Sequence, residues 1–273
     1  MADTFPDFAP MNTAKSGVMD QQKLLLAADP GWGKTTQAMN YQKVYGKGFI
    51  LSGESGLVSI ADAGIDYLPF TSWDGKHDPA NDVYSFLGVR KMMQSEGFKK
   101  QGYKWIMVDS LTEASDLAYE WAEAKEVEDA ADQNRKVNDF AKYTGHNDSI
   151  IAECKRIRDL PYHVVVTALL KEVDDGMGGT AFRPNVRGKA VPQHLCGLFD
   201  HVFAGIRTTV GEGETPRIER MIVTDQVNGY LGKARDQKQR LRAIEETGNV
   251  THLFAKMEMS DDEYEKRKSA SSK

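Results

Sequence analysis

Leu24-Leu25-Leu26-Ala27-Ala28-Asp29-Pro30-Gly31-Trp32-Gly33-Lys34-Thr35-Thr36 is the stretch on which the reading of this chain turns. Its apolar start fits a strand buried on both faces. Pro30-Gly31 supplies a tight turn, and a helix is predicted to start near Gly33. A strand, a tight loop and a helix in that order make a cradle for phosphate. Backbone N–H groups of the loop point inward, and the helix adds the positive end of its dipole. The pattern is G-x-x-x-x-G-K-[ST] with Ala28 in place of the first glycine. Alanine suits that place if its φ stays negative. The loop predicts that Asp29, Pro30, Gly31, Trp32, Gly33, Lys34, Thr35 and Thr36 hold a nucleoside triphosphate. Lys34 would reach the β- and γ-phosphates, and Thr35 would offer its hydroxyl to Mg²⁺. The Trp32 ring either touches the nucleotide or a neighbouring chain, or faces solvent.

The chain has 273 residues, enough for one large α/β domain or two small ones. Its 40% hydrophobic and 27% charged content is ordinary for a globular protein in water. No apolar run approaches a membrane span, and Met1 to Asp20 has no secretory h-region. Cys154 and Cys196 suit neither a zinc site nor a disulfide framework, so a reducing setting is expected. The net charge of −5 excludes a broadly basic surface, so any nucleic-acid contact must come from a local patch.

Three segments are expected: a lead-in over 1–22, a nucleotide-binding domain over 23–245, and a charged, partly disordered tail over 246–273. Within the domain, strands are predicted at 24–28, 48–52, 105–109, 163–168, 201–206 and 218–224. Helical patterning falls between them. Ile150, Ile151, Cys154 and Ile157 share one face of a helix that Pro161 stops. Another long helix begins after Ser110, and its acidic middle, Glu120 to Asp132, reads as a solvated face. Strands alternating with helices imply a doubly wound, mostly parallel α/β sheet. The glycine-rich stretch 171–193 reads as a long loop or hairpin. A C-terminal antiparallel hairpin is predicted from 218–224, the turn Asn228-Gly229, and Tyr230 onward.

Four further places carry chemistry. Asp109, at the carboxyl end of an apolar strand, can hold the Mg²⁺ shell; otherwise it caps the next helix. Glu54, just beyond another strand, can orient and activate the attacking water; otherwise it is a solvent-facing turn glutamate. Thr167 is the polar candidate for sensing the γ-phosphate at the end of 163–168. Lys233 and Arg235 point to one face of an extended segment. They read either as fingers that reach the γ-phosphate of a neighbouring subunit, or as a solvated basic edge or nucleic-acid contact.

Taken together these pieces resemble a RecA-type P-loop ATPase, and more narrowly the short phage-encoded RecA-like proteins of the Sak single-strand annealing group. The resemblance rests on 29–36, Glu54, Val108-Asp109-Ser110-Leu111-Thr112, the run 158–167, Gly188-Lys189, Phe199-Asp200-His201-Val202 and Lys233-Ala234-Arg235. Two departures stand out: Ala28, and the apolar Ala168-Leu169 where relatives often carry a polar sensor. The resemblance implies a RecA-like fold, ATP and Mg²⁺ as cofactors, and a homo-oligomer with ATP sites at subunit interfaces. It also implies single-stranded DNA as a partner, in the cytoplasm of an infected bacterial host. A single-strand-binding or replication protein is a further implied partner, and no membrane is. Phe182, Arg183, Arg187 and Lys189 lie where such proteins present a DNA-contacting loop. A second basic cluster is Arg235, Lys238, Arg240 and Arg242. The alternative is a nucleotide-switched loader or adaptor that binds a replication protein and has no DNA affinity of its own. A small-molecule kinase would need an arginine-bearing lid, and the sequence offers no convincing one.

Overall fold

The apolar runs become the inner strands of one sheet. The computed structural model describes residues 21–81, 83–210 and 217–271, so nearly all of the expected lead-in lies outside the described residues. The strands are β1 (Lys23–Ala28), β2 (Gly48–Ser52), β3 (Asp66–Pro69), β4 (Trp105–Asp109), β5 (His163–Asp174), β6 (Thr180–Pro184), β7 (His201–Val210), β8 (Arg217–Val223) and β9 (Ile244–Glu245). They run in the order β3-β2-β4-β5-β1-β7-β8-β9, with β6 on the far half of β5. Pairings from β3 across to β7 are parallel. Those of β6 with β5, β8 with β7 and β9 with β8 are antiparallel. This is the mostly parallel α/β sheet expected from the sequence.

Alternation along the inner strands builds two cores. Leu24, Leu26, Trp105, Met107 and Phe203 face one side, and Leu25, Ala27, Ile106 and Val108 face the other. All of these expose 2% or less of their surface, which is why the strands read as continuous apolar runs. Each such leucine contributes roughly 1.5–3 kcal/mol. Helix α1 (Gln37–Tyr45) covers the first side. The other side takes α2 (Phe86–Met92), the short α3 (Glu96–Lys99), α4 (Leu111–Asp132), α5 (Asp139–Arg158) and α6 (Val191–Leu198). Two more helices follow, α7 (Val250–Glu258) and α8 (Asp261–Ser271).

Three expectations are corrected. The chain beyond 245 is not all tail: Val250, Leu253 and Phe254 of α7 are buried in the first core, beside Tyr41 and Phe203. A C-terminal antiparallel hairpin forms, but β8 pairs with β7 on one side and β9 on the other, not with the segment from Tyr230. The Asn228-Gly229 turn does form, closed by a bridge between Val227 and Tyr230, but it then returns the chain to β7 through a Val202–Lys233 bridge. The acidic middle of α4 is also not simply solvated. Ala122, Glu126 and Ala130 are buried, and Glu126 accepts from Arg135 at 3.0 Å and from the Asn138 N–H at 2.7 Å.

Candidate active site

The loop after β1 wraps one wall of a cavity of about 1010 Å³, lined by Pro30 to Thr36, Glu54, Leu169, Arg220 and Gly248 among others. Ala28 is not among the left-handed residues, so it meets the condition that lets it replace glycine. Gly31 and Gly33 carry the positive φ angles of the turn, 73° and 105°. Bonds of the i to i+3 kind, from Gln37 N to Lys34 O and from Ala38 N to Thr35 O (both 3.1 Å), tighten the chain before α1. The α-helix proper therefore begins at Gln37 and not near Gly33. Lys34 is buried, and its Nζ donates to the Ala28 and Asp29 carbonyls at 3.2 Å each. Burial lowers its pKa, against the pull of Glu54, Asp109 and Asp29.

Beneath the loop the strand ends supply oxygen atoms. Asp109 is buried at the end of β4 and accepts from two threonines. Thr35 Oγ1 donates to Oδ2 at 2.6 Å, and Thr167 Oγ1 donates to Oδ1 at 2.5 Å. Glu54 lies two residues past β2 and accepts from the Ser110 hydroxyl. Glu113, in the first turn of α4, has its pKa raised by burial, with the negative charges of Asp116 and Glu54 adding. Mg²⁺ prefers oxygen ligands, and beside phosphates it takes only one or two from the protein. Asp109 and Thr35 offer that pair. Among the described residues, no group of three or more His, Cys, Asp or Glu forms a closed metal cage. The donor set therefore fits a metal that arrives with its nucleotide.

Other sequence-predicted residues lie elsewhere or have other partners. Thr167 is fully buried, and its hydroxyl donates to Asp109 and to the Val108 carbonyl. The Trp32 side chain is also fully buried, and its indole N–H donates to the carbonyls of Ile206 (3.1 Å) and Met221 (3.3 Å). Its ring lies where a Cβ on Gly205 would come within 2.5 Å, so that glycine makes the room. Lys233 and Arg235 are near the opposite end of the strands. Lys233 Nζ donates to the Phe199 and Cys196 carbonyls at 2.6 and 3.3 Å, while exposed Arg235 pairs with Asp200 at 3.1 Å.

Three of the four expected DNA-contacting residues, Arg183, Arg187 and Lys189, line a second cavity, also about 1010 Å³, with Phe140 and Tyr143 of α5 on its wall. Lys189 and Arg187 are exposed there. Arg187 pairs with Asp116 at 2.6 Å and lies over the Tyr119 ring. Arg183 donates to the Gly229 carbonyl at 3.0 Å. Phe182 is stacked on Tyr230, centroids 4.2 Å apart. The second basic cluster disperses. Arg240 is buried and donates to the Met259 carbonyl at the end of α7, as does Lys238, and Arg242 pairs with Glu246.

Sequence reasoning missed four contributors. Ser110 fixes Glu54, and its place directly after Asp109 was the available signal. Gln37 is buried and ties the loop to the C-terminal segment, donating to Gly33 O (3.2 Å) and Gly248 O (2.8 Å) and accepting from Val250 N (3.1 Å). Arg207 and Arg220 approach the loop from β7 and β8. Finding them required the correct partner for β8.

A nest of loop amides, a buried lysine and a carboxylate–hydroxyl pair at adjoining strand ends define a P-loop nucleoside triphosphatase. The chain belongs to the AAA domain family, whose model matches residues 20–236, and this makes it an ATPase of the P-loop class. Two solved structures are similar. The flagellar accessory protein FlaH from Methanocaldococcus jannaschii shares 13% identity over 78% of this chain and 81% of its own, with a TM-score of 0.39. The KaiC-like protein PH0186 from Pyrococcus horikoshii OT3 shares 13% identity over 81% of this chain and 83% of its own, with a TM-score of 0.43. No curated protein gives a significant match. Among the described residues no helix is long and apolar enough to cross a membrane.

Proposed function

We propose that the protein is a Mg²⁺-dependent ATPase that acts on single-stranded DNA in phage-type recombination, annealing or replication, as a homo-oligomer in the cytoplasm of an infected bacterium. The observation that carries the hydrolytic part is Asp109 bonded to Thr35 at 2.6 Å beneath the loop, with Glu54 on the same cavity wall. Lys34 and the loop amides bind the phosphates. Thr35 and Asp109 hold Mg²⁺, which when bound neutralises developing phosphate charge. Ser110 holds the Glu54 carboxylate, which orients the attacking water. The far-end position of Lys233 and Arg235 is compatible with service to a neighbour's site and not to their own. The groove with Arg187, Lys189, Phe140 and Tyr143 on its wall supports a nucleic-acid strand as the second ligand.

One observation favours the loader reading: Phe182 is stacked on Tyr230 and Arg187 is paired with Asp116, so both already have partners. ATPase and strand-binding assays with and without poly-dT separate the two. The DNA reading expects stimulated turnover and salt-sensitive binding, weakened at least tenfold by Arg183→Ala with Arg187→Ala. No strand binding at low salt with an ATP analogue present would refute it and leave the loader.

A further inference from the structure

Arg207 and Arg220 sit directly opposite one another on the β7–β8 pair. Like charges in that relation repel and weaken the strand pairing. Among the described residues neither arginine forms an ion pair. The carboxylates that share the cavity wall with Arg220 are engaged elsewhere: Glu54 with the Ser110 hydroxyl, Glu219 with Arg217 at 2.5 Å, and Glu246 with Arg242 at 3.3 Å.

Both arginines lie against the phosphate loop. A methyl built on Gly31 would come within 3.3 Å of Arg207 Nη1, and one on Gly33 within 3.8 Å of Arg220 Nε. The Arg220 stem runs along Gly248, where a methyl would meet its Cβ at 2.9 Å, and the side chain lines the cavity. Three cations therefore converge on one loop: Lys34 from within, and two guanidiniums from the hairpin. A guanidinium is a planar fork matched to phosphate oxygens and is always charged. An added polyanion is the ligand that would offset this repulsion.

We propose that Arg207 and Arg220 form a clamp, supplied by the same chain as the loop, that grips the phosphate chain of the bound nucleotide. The clamp rests on the phosphate-loop reading and adds a second source of positive charge to it. It also gives the hairpin a task at the site, because a ligand held by both walls ties β7 and β8 to the loop.

The test is equilibrium dialysis with Mg·ATP on wild type, Arg220→Gln, Arg220→Lys, Arg207→Ala with Arg220→Ala, and Lys34→Ala. The double variant is expected to raise Kd at least tenfold, and Arg220→Gln about three- to tenfold. Arg220→Lys, which keeps the charge, loses less than Arg220→Gln. Wild-type affinity in both Arg220→Gln and the double variant, with binding lost in Lys34→Ala, overturns the clamp and leaves the loop reading standing. Wild-type affinity in Lys34→Ala removes the loop reading, and the clamp with it.

Discussion

Asp109, bonded to Thr35 beneath the loop, and Arg220, on the cavity wall, have different surroundings. Asp109 is buried and has both carboxylate oxygens engaged, by Thr35 and Thr167. Glu54 beside it is held by Ser110. Arg220 is exposed, faces the like charge of Arg207, and forms no ion pair among the described residues. The strand-end wall is thus organised before any ligand arrives, which suits a metal and a water that must be placed accurately. The hairpin wall carries charge without compensation, which suits a group that binds an anion when one enters. Trp32 joins the two, rising from the loop and donating to carbonyls of both β7 and β8.

The largest effect should come from the organised wall. Glu54→Gln is expected to slow hydrolysis on the order of 10²–10⁴-fold while leaving the Kd for Mg·ATP within about twofold. Single-turnover assays beside binding measurements check this, and unchanged turnover would take Glu54 out of the mechanism. A smaller loss is expected for Thr167→Val, which frees one oxygen of Asp109. Support of a metal ligand is worth roughly 10–100-fold in metal affinity. The Mg²⁺ concentration for half-maximal rate should rise, with ATP binding in the absence of metal unaltered. If the variant instead weakens metal-free ATP binding at unchanged Mg²⁺ demand, Thr167 contacts phosphate as a sensor would. The smallest effect tests the link between the walls. Gly205→Ala places a methyl against the Trp32 ring, and overpacking of this kind costs about 1–3 kcal/mol. Thermal melting should show that loss, and a variant as stable as wild type would mean that the ring has room to shift.

Much of the organised wall was legible in the sequence, because it lies at the ends of short, continuous apolar runs. The bounds expected for β2 and β4 match the structure, and with them come the positions of Glu54 and Asp109. The loop was legible because its glycines and lysine fall at fixed spacing after such a run. The hairpin wall was hidden. Arg207 and Arg220 look like two unrelated surface arginines until β8 is paired with β7, and the Asn228-Gly229 turn gave a plausible but incorrect partner. The role of the C-terminal segment was hidden for a similar reason. Gln37, Gly248 and Val250 are joined by hydrogen bonds across more than two hundred residues, and neither composition nor periodicity reports such a contact. Trp32 shows the limit from another side. Its neighbours in sequence are loop residues, yet the residue that gives its ring space is Gly205.

Calorimetric titration of the wild-type protein with Mg·ATP tests the central claim most directly. A saturable signal with one nucleotide per chain is expected, and it is lost in Lys34→Ala. Folded protein that gives no saturable heat with Mg·ATP, under conditions where a P-loop control binds, would contradict it.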